Sequence, residues 1–252
     1  MKMKDTSHFI HDKDEQKLRT EAKRNKILKF LSDETFSTSE ILGQLLELSR
    51  TATYRTLKSM EKEGMVKLYE IEYELAQKGK QTIWGLTPTG ALLATDLEDF
   101  HVDHFEASRI AKSTMAHSIA TQRVKVSARK RGWEEWISSR KLKQMASKDR
   151  NKWKQIPDAL AVKDGKTFAF EVERTVKTPK RYESILAGYA EMFVAGTVAG
   201  TIYICPENLV RRLEVLFSKI EKISIQGRVH PVHENVRKRI KFLTLEQWSE
   251  KE

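Results

Sequence analysis

The chain has 252 residues, 39% of them hydrophobic and 32% charged, and a formal net charge of +11. That balance describes a globular chain with room for two ordinary domains and excludes a disordered one. No apolar run approaches the roughly 20 residues that span a bilayer, so membrane insertion is not expected. The first residues lack the apolar core of a secretory signal, and the lone Cys205 excludes an intrachain disulfide, so the default compartment is the cytoplasm.

In chain order, residues 1–19 are charged and poorly patterned and read as a mobile N-terminal segment. A helix is expected over 20–31, with Ile27, Leu28, Phe30 and Leu31 apolar. Ser37-Thr38-Ser39-Glu40 has the form of a capping box and opens a helix with Ile41, Leu42, Leu45 and Leu46 inside. Ser49 can cap a third helix over 50–63, stopped by Gly64. Strand-like runs follow at 65–73 and 81–86, around a polar tip, Gln77-Lys78-Gly79-Lys80. Thr87-Pro88 then opens a further helix.

Three helices and a two-stranded ribbon follow the winged helix-turn-helix order, and residues 49–66 resemble the recognition helix and first wing strand of that family. The resemblance covers about residues 20–95, a winged helix DNA-binding domain. On it Thr53, Leu57 and Met60 face inward, while Arg50, Thr51, Tyr54, Arg55 and Lys58 face out toward a major groove. Lys78 and Lys80 at the wing tip would meet phosphates.

Residues 96–111 read as a helical connector, whose His101 and His104 are taken as surface histidines. Between Arg109 and Lys154 stand fourteen Lys or Arg against three acids, a local net of +11 that leaves the rest of the chain near neutral. Such a block suits a polyanion, most simply a nucleic-acid backbone. A helix is expected over 110–131, a strand over 133–137, a hairpin over 156–174 and a helix over 179–195. After these come a strand over 201–205, a helix over 207–222, a loop at His230–His233 and a last strand over 240–245. Trp133, Trp136 and Trp153, beside lysines, suit either core packing or stacking on bases.

The hairpin carries the chemistry. Asp164-Gly165 is the kind of dipeptide that closes a two-residue type I′ turn. With those two residues as the loop, 163 faces 166, 160 faces 169, and Asp158 faces Glu171, with Glu173 on the same face of the same strand. Like charges placed opposite one another destabilise a sheet. Three acids gathered there point to a bound cation, and Mg²⁺ or Mn²⁺ is the natural choice for oxygen ligands. The alternative is that Glu171 and Glu173 pair with Lys163, Lys166 or Arg174.

Pro157-Asp158, then Glu171-Val172-Glu173 with lysines nearby, resembles the PD-(D/E)XK nuclease core, and the α-β-β-β-α-β order is that core's order. A winged helix followed by such a restriction-endonuclease-like core over 112–252 is an α/β (α+β) arrangement. With His117 in the first core helix and Tyr189 in a later one, it is similar to the replication-relaxation family, and within it to MobC-type plasmid relaxases. The two likenesses together cover roughly residues 20–245.

The resemblance implies metal-dependent, site- and strand-specific nicking of double-stranded supercoiled DNA at an origin of transfer, alongside accessory mobilisation or coupling proteins. Asp158, Glu171 and Glu173 would be metal ligands. Glu173 stands where the motif has lysine, so the catalytic lysine becomes Lys177, with Lys180 or Arg174 as alternatives. The first core helix offers His117 and Gln122 where the superfamily often has glutamate, and Tyr182 and Tyr189 read as packing or phosphate-contact residues. A transposon-end or defence endonuclease of the same fold, or a winged-helix transcriptional regulator without catalysis, are the competing readings.

Overall fold

Capping, more than apolar spacing, sets where the first helix begins. The computed structural model describes residues 12–73, 79–95, 103–110, 112–148 and 153–250, and the chain divides into two units, Met1–Met115 and Ala116–Glu252. Helix α1 (Lys13–Glu34) starts where the Asp12 carboxylate accepts the Asp14 N–H at 2.9 Å. Its first turns are exposed and carry an Arg19–Glu15 pair at i,i+4. A cap and a helical ion pair support a helix there without burial, so residues 13–19 are helical, not the mobile segment expected. Residues 1–11 lie outside the described residues. Burial begins at Ile27 and continues through Leu28, Phe30 and Leu31.

Strand β1 (Phe36–Ser37) takes up Ser37, so Thr38 caps α2 (Ser39–Leu46) in its place, accepting the Ile41 N–H at 3.3 Å. Helix α3 (Arg50–Lys62) is capped by Ser49, which accepts the Ala52 N–H, and it buries Thr53, Leu57 and Met60 as the spacing requires. Gly64 follows with φ +73°. Strands β2 (Val66–Tyr73) and β3 (Gly79–Leu86) pair antiparallel, and β1 lies on the far side of β3. Trp84 is fully buried and its indole N–H donates to Ser39 Oγ at 2.8 Å.

Helix α4 (Pro88–Ala94) ends at an extended Thr95, and residues 96–102 of the expected helical connector lie outside the described residues. The chain at 103–106 has no regular structure and gives way to a short 3₁₀ turn, Ala107–Arg109. Phe105 explains this. Its ring is buried, edge-on to Tyr69 with centroids 4.5 Å apart, and its N–H donates to the Leu86 carbonyl at 2.9 Å. Tertiary packing of one aromatic side chain overrides helix propensity. His104 pairs with Glu106 at 3.0 Å, and His101 lies outside the described residues.

The second unit is built on a mixed five-stranded sheet. Helix α5 (Lys112–Lys130) leads to β4 (Glu134–Ser138), α6 (Ser139–Lys148), β5 (Ala159–Lys163) and β6 (Lys166–Val172). After them come α7 (Pro179–Val194), β7 (Gly200–Cys205), α8 (Glu207–Ser218), the β8 (Lys222–Ile225) and β9 (Arg228–Pro231) hairpin, α9 (Glu234–Arg237), β10 (Ile240–Thr244) and α10 (Leu245–Ser249). The sheet order is β10-β7-β6-β5-β4, antiparallel across β4–β5–β6 and parallel across β6–β7 and β7–β10. The expected core elements are present. Helices α6, α9 and α10 and the small hairpin are additional, and His230 and Pro231 sit in β9, not in the expected loop.

Alternation along the strands divides the core in two. Ala159, Ala161, Phe170, Val172, Ile202 and Ile204 pack with Val124 and Ala128 of α5 and Trp248 of α10. Leu160, Ala169 and Tyr203 pack with α7, α8 and the inner side of α6. Trp133 and Trp136 lie on Phe170 in the first of these cores, and Trp153 is buried in the second, so packing takes all three tryptophans and base stacking none. Several cations outside the basic block act as helix ends require: Arg237 donates to the carbonyls of Phe217 and Ile220, and Arg239 to Phe193. No helix among the described residues is long and apolar enough to cross a membrane.

One close approach in the first unit yields a direct test. A Cβ added at Gly90 would lie 1.8 Å from the Met65 carbonyl oxygen, which already accepts from the Thr87 N–H. Gly90→Ala is expected to destabilise the protein by about 1–3 kcal/mol, the usual cost of overpacking, measured by urea denaturation. An unchanged midpoint would show that α4 does not depend on this close approach.

Candidate functional site

The β5–β6 turn has the geometry its two residues call for. Asp164 and Gly165 both have positive φ, +51° and +69°, as a type I′ turn requires. The register follows: Lys163 pairs with Lys166, Leu160 with Ala169 and Ala159 with Phe170. One step on, Asp158 stands beside the end of β6, where its Oδ2 accepts the Val172 N–H at 2.8 Å. Its Oδ1 lies 3.0 Å from His117 Nε2 on α5. The sheet end thus brings Asp158 and His117 together, although they are far apart in the chain.

Glu171 and Glu173 are 8% and 5% exposed, far too buried for a solvated strand face. Glu171 accepts from the Tyr189 hydroxyl and, at 3.2 Å, from Gln155 Nε2. Burial, helped by the charge of Asp158, pushes its pKa up to about 8. Glu173 accepts from the Lys177 ammonium at both oxygens and from the Tyr182 hydroxyl at 3.2 Å, and Tyr182 in turn accepts the Lys177 N–H. The hydrogen bond to Asp158 raises the pKa of His117 against the desolvation that lowers it.

Each acid therefore has its own hydrogen-bond partners. Among the described residues no three His, Cys, Asp or Glu side chains converge closely enough to hold a metal ion as a set. The three-carboxylate cluster read from the hairpin is divided. Glu173 is engaged by Lys177, while the charge of Asp158 acts on the buried Glu171 and helps raise its pKa. Two carboxylates are the number that Mg²⁺ usually takes from a protein, with water and substrate phosphate completing the shell. Lys177 reaches Glu173, whereas Arg174 and Lys180 are exposed. Gln122 is fully buried in α5.

The tyrosines are the residues that sequence reasoning undervalues. Tyr182 and Tyr189 lie seven residues apart on one face of α7, and their hydroxyls reach the two glutamates. Tyr203 pairs with Glu171 across β6–β7, so both side chains share a face. Its hydroxyl is buried without a hydrogen-bond partner, and burial and the neighbouring acids raise its pKa. The aromatic spacing along α7 is a usable signal. The position of Tyr203 becomes readable only with the parallel pairing.

In the first unit, Arg50, Thr51, Tyr54 and Arg55 are exposed on α3. Lys58 is held differently, with its ammonium 2.6 Å from Glu61 and 5.7 Å from the ring centres of both Tyr54 and Trp84. Lys78 lies outside the described residues, and the backbone of Lys80 pairs with Glu72.

The raised pKa of Glu171 fixes a sign. A carboxyl group titrating near 4.5 unfolded and near 8 folded binds more protons in the folded state between those values. Its contribution to stability is complete below about 4.5 and is lost as pH rises through about 8. Metal-free protein is expected to melt at progressively lower temperature across that window, and Glu171→Gln to flatten the decline. Equal slopes for the two proteins would contradict the assignment.

Comparison with known proteins agrees with this arrangement at the level of the family. A family model described as replication-relaxation matches residues 28–203, a span that takes in most of the first unit and the second unit through β7. No curated protein and no solved structure matches the chain. With well over half of its length matched, and with His117, Asp158, Glu171 and Glu173 all inside the match, the chain belongs to the replication-relaxation family.

Proposed function

We propose that this protein is a DNA relaxase: a divalent-metal-dependent enzyme that nicks one strand of supercoiled DNA at a specific site to begin plasmid mobilisation. Family membership supports a role in plasmid replication or mobilisation. The helix-helix-helix-ribbon order of the first unit supports reading it as a winged helix, with Arg50, Thr51, Tyr54 and Arg55 addressing the major groove. The α5-β4-β5-β6-α7-β7 frame of the second supports a PD-(D/E)XK-like core. The observation that carries the proposal is geometric: Asp158, tied to the Val172 N–H, stands beside the buried Glu171 at the end of the hairpin, and burial with the charge of Asp158 raises the Glu171 pKa to about 8.

In this reading Asp158 and Glu171 hold Mg²⁺ or Mn²⁺. Bound there, the ion supplies Lewis-acid stabilisation of charge on the phosphate and a more acidic water. Glu173 acts as the anchor for Lys177, whose ammonium replaces the lysine that the usual motif places at the glutamate's own position. The hydroxyl of Tyr189 orients Glu171, and that of Tyr182 orients Glu173. His117 orients Asp158 and carries a proton at Nε2 that would be available to the departing oxygen.

Supercoiled plasmid bearing the cognate origin of transfer, incubated with the protein and Mn²⁺ or Mg²⁺, is expected to become open circular through a single nick. Asp158→Asn and Glu171→Gln should each slow nicking more than about 100-fold, the upper end of what losing an outer-sphere partner costs, while leaving origin binding intact. A wild-type protein that binds the origin without nicking it, or a D158N variant that nicks at the wild-type rate, would refute the proposal. Double-strand breaks would assign the same site to a different endonuclease.

A further inference from the structure

The basic block between Arg109 and Lys154 is not one surface. On α5, Arg123 and Lys125 are half-buried, and Arg131 just beyond it donates to the carbonyls of Trp248 and Glu250 while lying over the Trp248 ring. Arg131 thereby ties the end of α5 to the C-terminal helix. Helix α6 is different. Leu142 and Ala146 turn into the core, while Arg140, Lys141, Lys143 and Lys148 are exposed on the remaining surface, and no acid occurs in the helix. At 100° per residue Arg140, Lys141 and Lys148 lie on the side opposite Leu142 and Ala146, with Lys143 on its flank.

The helix is also tied to the site. The N–H of Ser139, its first residue, donates to the backbone carbonyl of Asp158 at 2.9 Å. A bulge in β4 precedes it, with Glu135 at φ +49° and a register shift between Glu134 and Ile137. The strand-to-helix junction therefore starts α6 at the carboxylate end of the sheet, from which it runs for ten residues. Ten residues extend about 15 Å, long enough to face a short run of successive phosphates on one strand.

We propose that α6 is the DNA-backbone track of the catalytic unit: a sequence-independent surface on which Arg140, Lys141, Lys143 and Lys148 neutralise successive phosphates and deliver the strand to Asp158. The inference rests on the relaxase reading and assigns it a second DNA surface, separate from the sequence-reading one on α3. Its partner is the phosphodiester backbone of DNA, bound through charge and not through base edges.

The test is the salt dependence of binding to a short duplex of random sequence, read by fluorescence anisotropy with the full chain. Removing one cation from a phosphate lowers the slope of log K against log salt by roughly 0.9. Replacing Arg140, Lys141, Lys143 and Lys148 together by glutamine should therefore reduce the slope by about 3.6 and slow nicking at moderate salt, with partial rescue of nicking at low salt. Glutamine keeps helix propensity close to that of lysine and arginine, and an unchanged melting temperature confirms folding. An equal-charge control replaces the exposed Arg211, Arg212, Lys219 and Lys222.

A fall in slope of about two or more that the control does not share supports the proposal. A slope unchanged, or lowered equally by the control, overturns it. If wild type nicks origin DNA and the α6 variant does so with the same salt dependence, the track fails while the relaxase reading survives. If wild type shows no salt-dependent DNA binding, both fail.

Discussion

The register of one hairpin governs the chemistry of the second unit. Two consecutive residues at positive φ, Asp164 and Gly165, turn β5 back on β6 with no residue to spare. A slip of one residue would send Glu171 and Glu173 to the opposite face, among Ala159, Ala161 and Trp248. The same register sets Val172 N–H against Asp158 Oδ2, a hydrogen bond to a charged acceptor that anchors the aspartate just before β5 begins. Parallel pairing with β7 then places Tyr203 beside Glu171 and lets the Glu173 N–H donate to the Ile204 carbonyl. The turn, the ladder and the crossover helix together fix three acids that the chain spreads over residues 158–173.

Placing three acids together is costly unless each is neutralised, and three mechanisms achieve that. Asp158 hydrogen-bonds His117, Glu173 accepts from Lys177 and Tyr182, and burial raises the pKa of Glu171, which has a tyrosine and a glutamine on its oxygen. Only the last can be reversed by a cation without breaking an ion pair. In the proposed site a metal taking Glu171 would displace a proton, one taking Asp158 would compete with His117 for that carboxylate, and one taking Glu173 would have to displace the Lys177 ammonium. This asymmetry makes the two glutamates unequal: neutral donors hold the first and an ammonium holds the second.

Much of this is legible in the amino-acid sequence, for identifiable reasons. Asp-Gly between alternating strands demands one turn type, so the opposition of positions 158 and 171 follows by counting. Thr53, Leu57 and Met60 recur at helical spacing, so the inner face of α3 follows too. Other features are hidden. Helix α6 offers only Leu142, Met145 and Ala146 as apolar residues among its cations, too sparse a stripe to read as an element. The β8–β9 hairpin turns on Gln226-Gly227, both at positive φ, with glutamine where asparagine or aspartate would have signalled the turn. Residues 103–106 of the connector are not helical because Phe105 has a pocket waiting at Gly85, where a Cβ would meet its ring at 2.2 Å. The tyrosine hydroxyls reach the acids only once α7 crosses the sheet. The local rules hold in each case, and the hidden features are those that depend on distant partners.

The proposed chemistry stands on Asp158 and Glu171 forming a divalent-metal site whose second ligand is protonated until the ion arrives. Calorimetric titration of Mn²⁺ into the protein, one pH unit below the raised Glu171 pKa of about 8 and in buffers of different ionisation enthalpy, measures the protons released on binding. The wild type is expected to release about one proton or more per ion, and the Asp158→Asn, Glu171→Gln double variant to show no measurable binding. Binding without proton release, or undiminished binding by the double variant, would overturn the assignment.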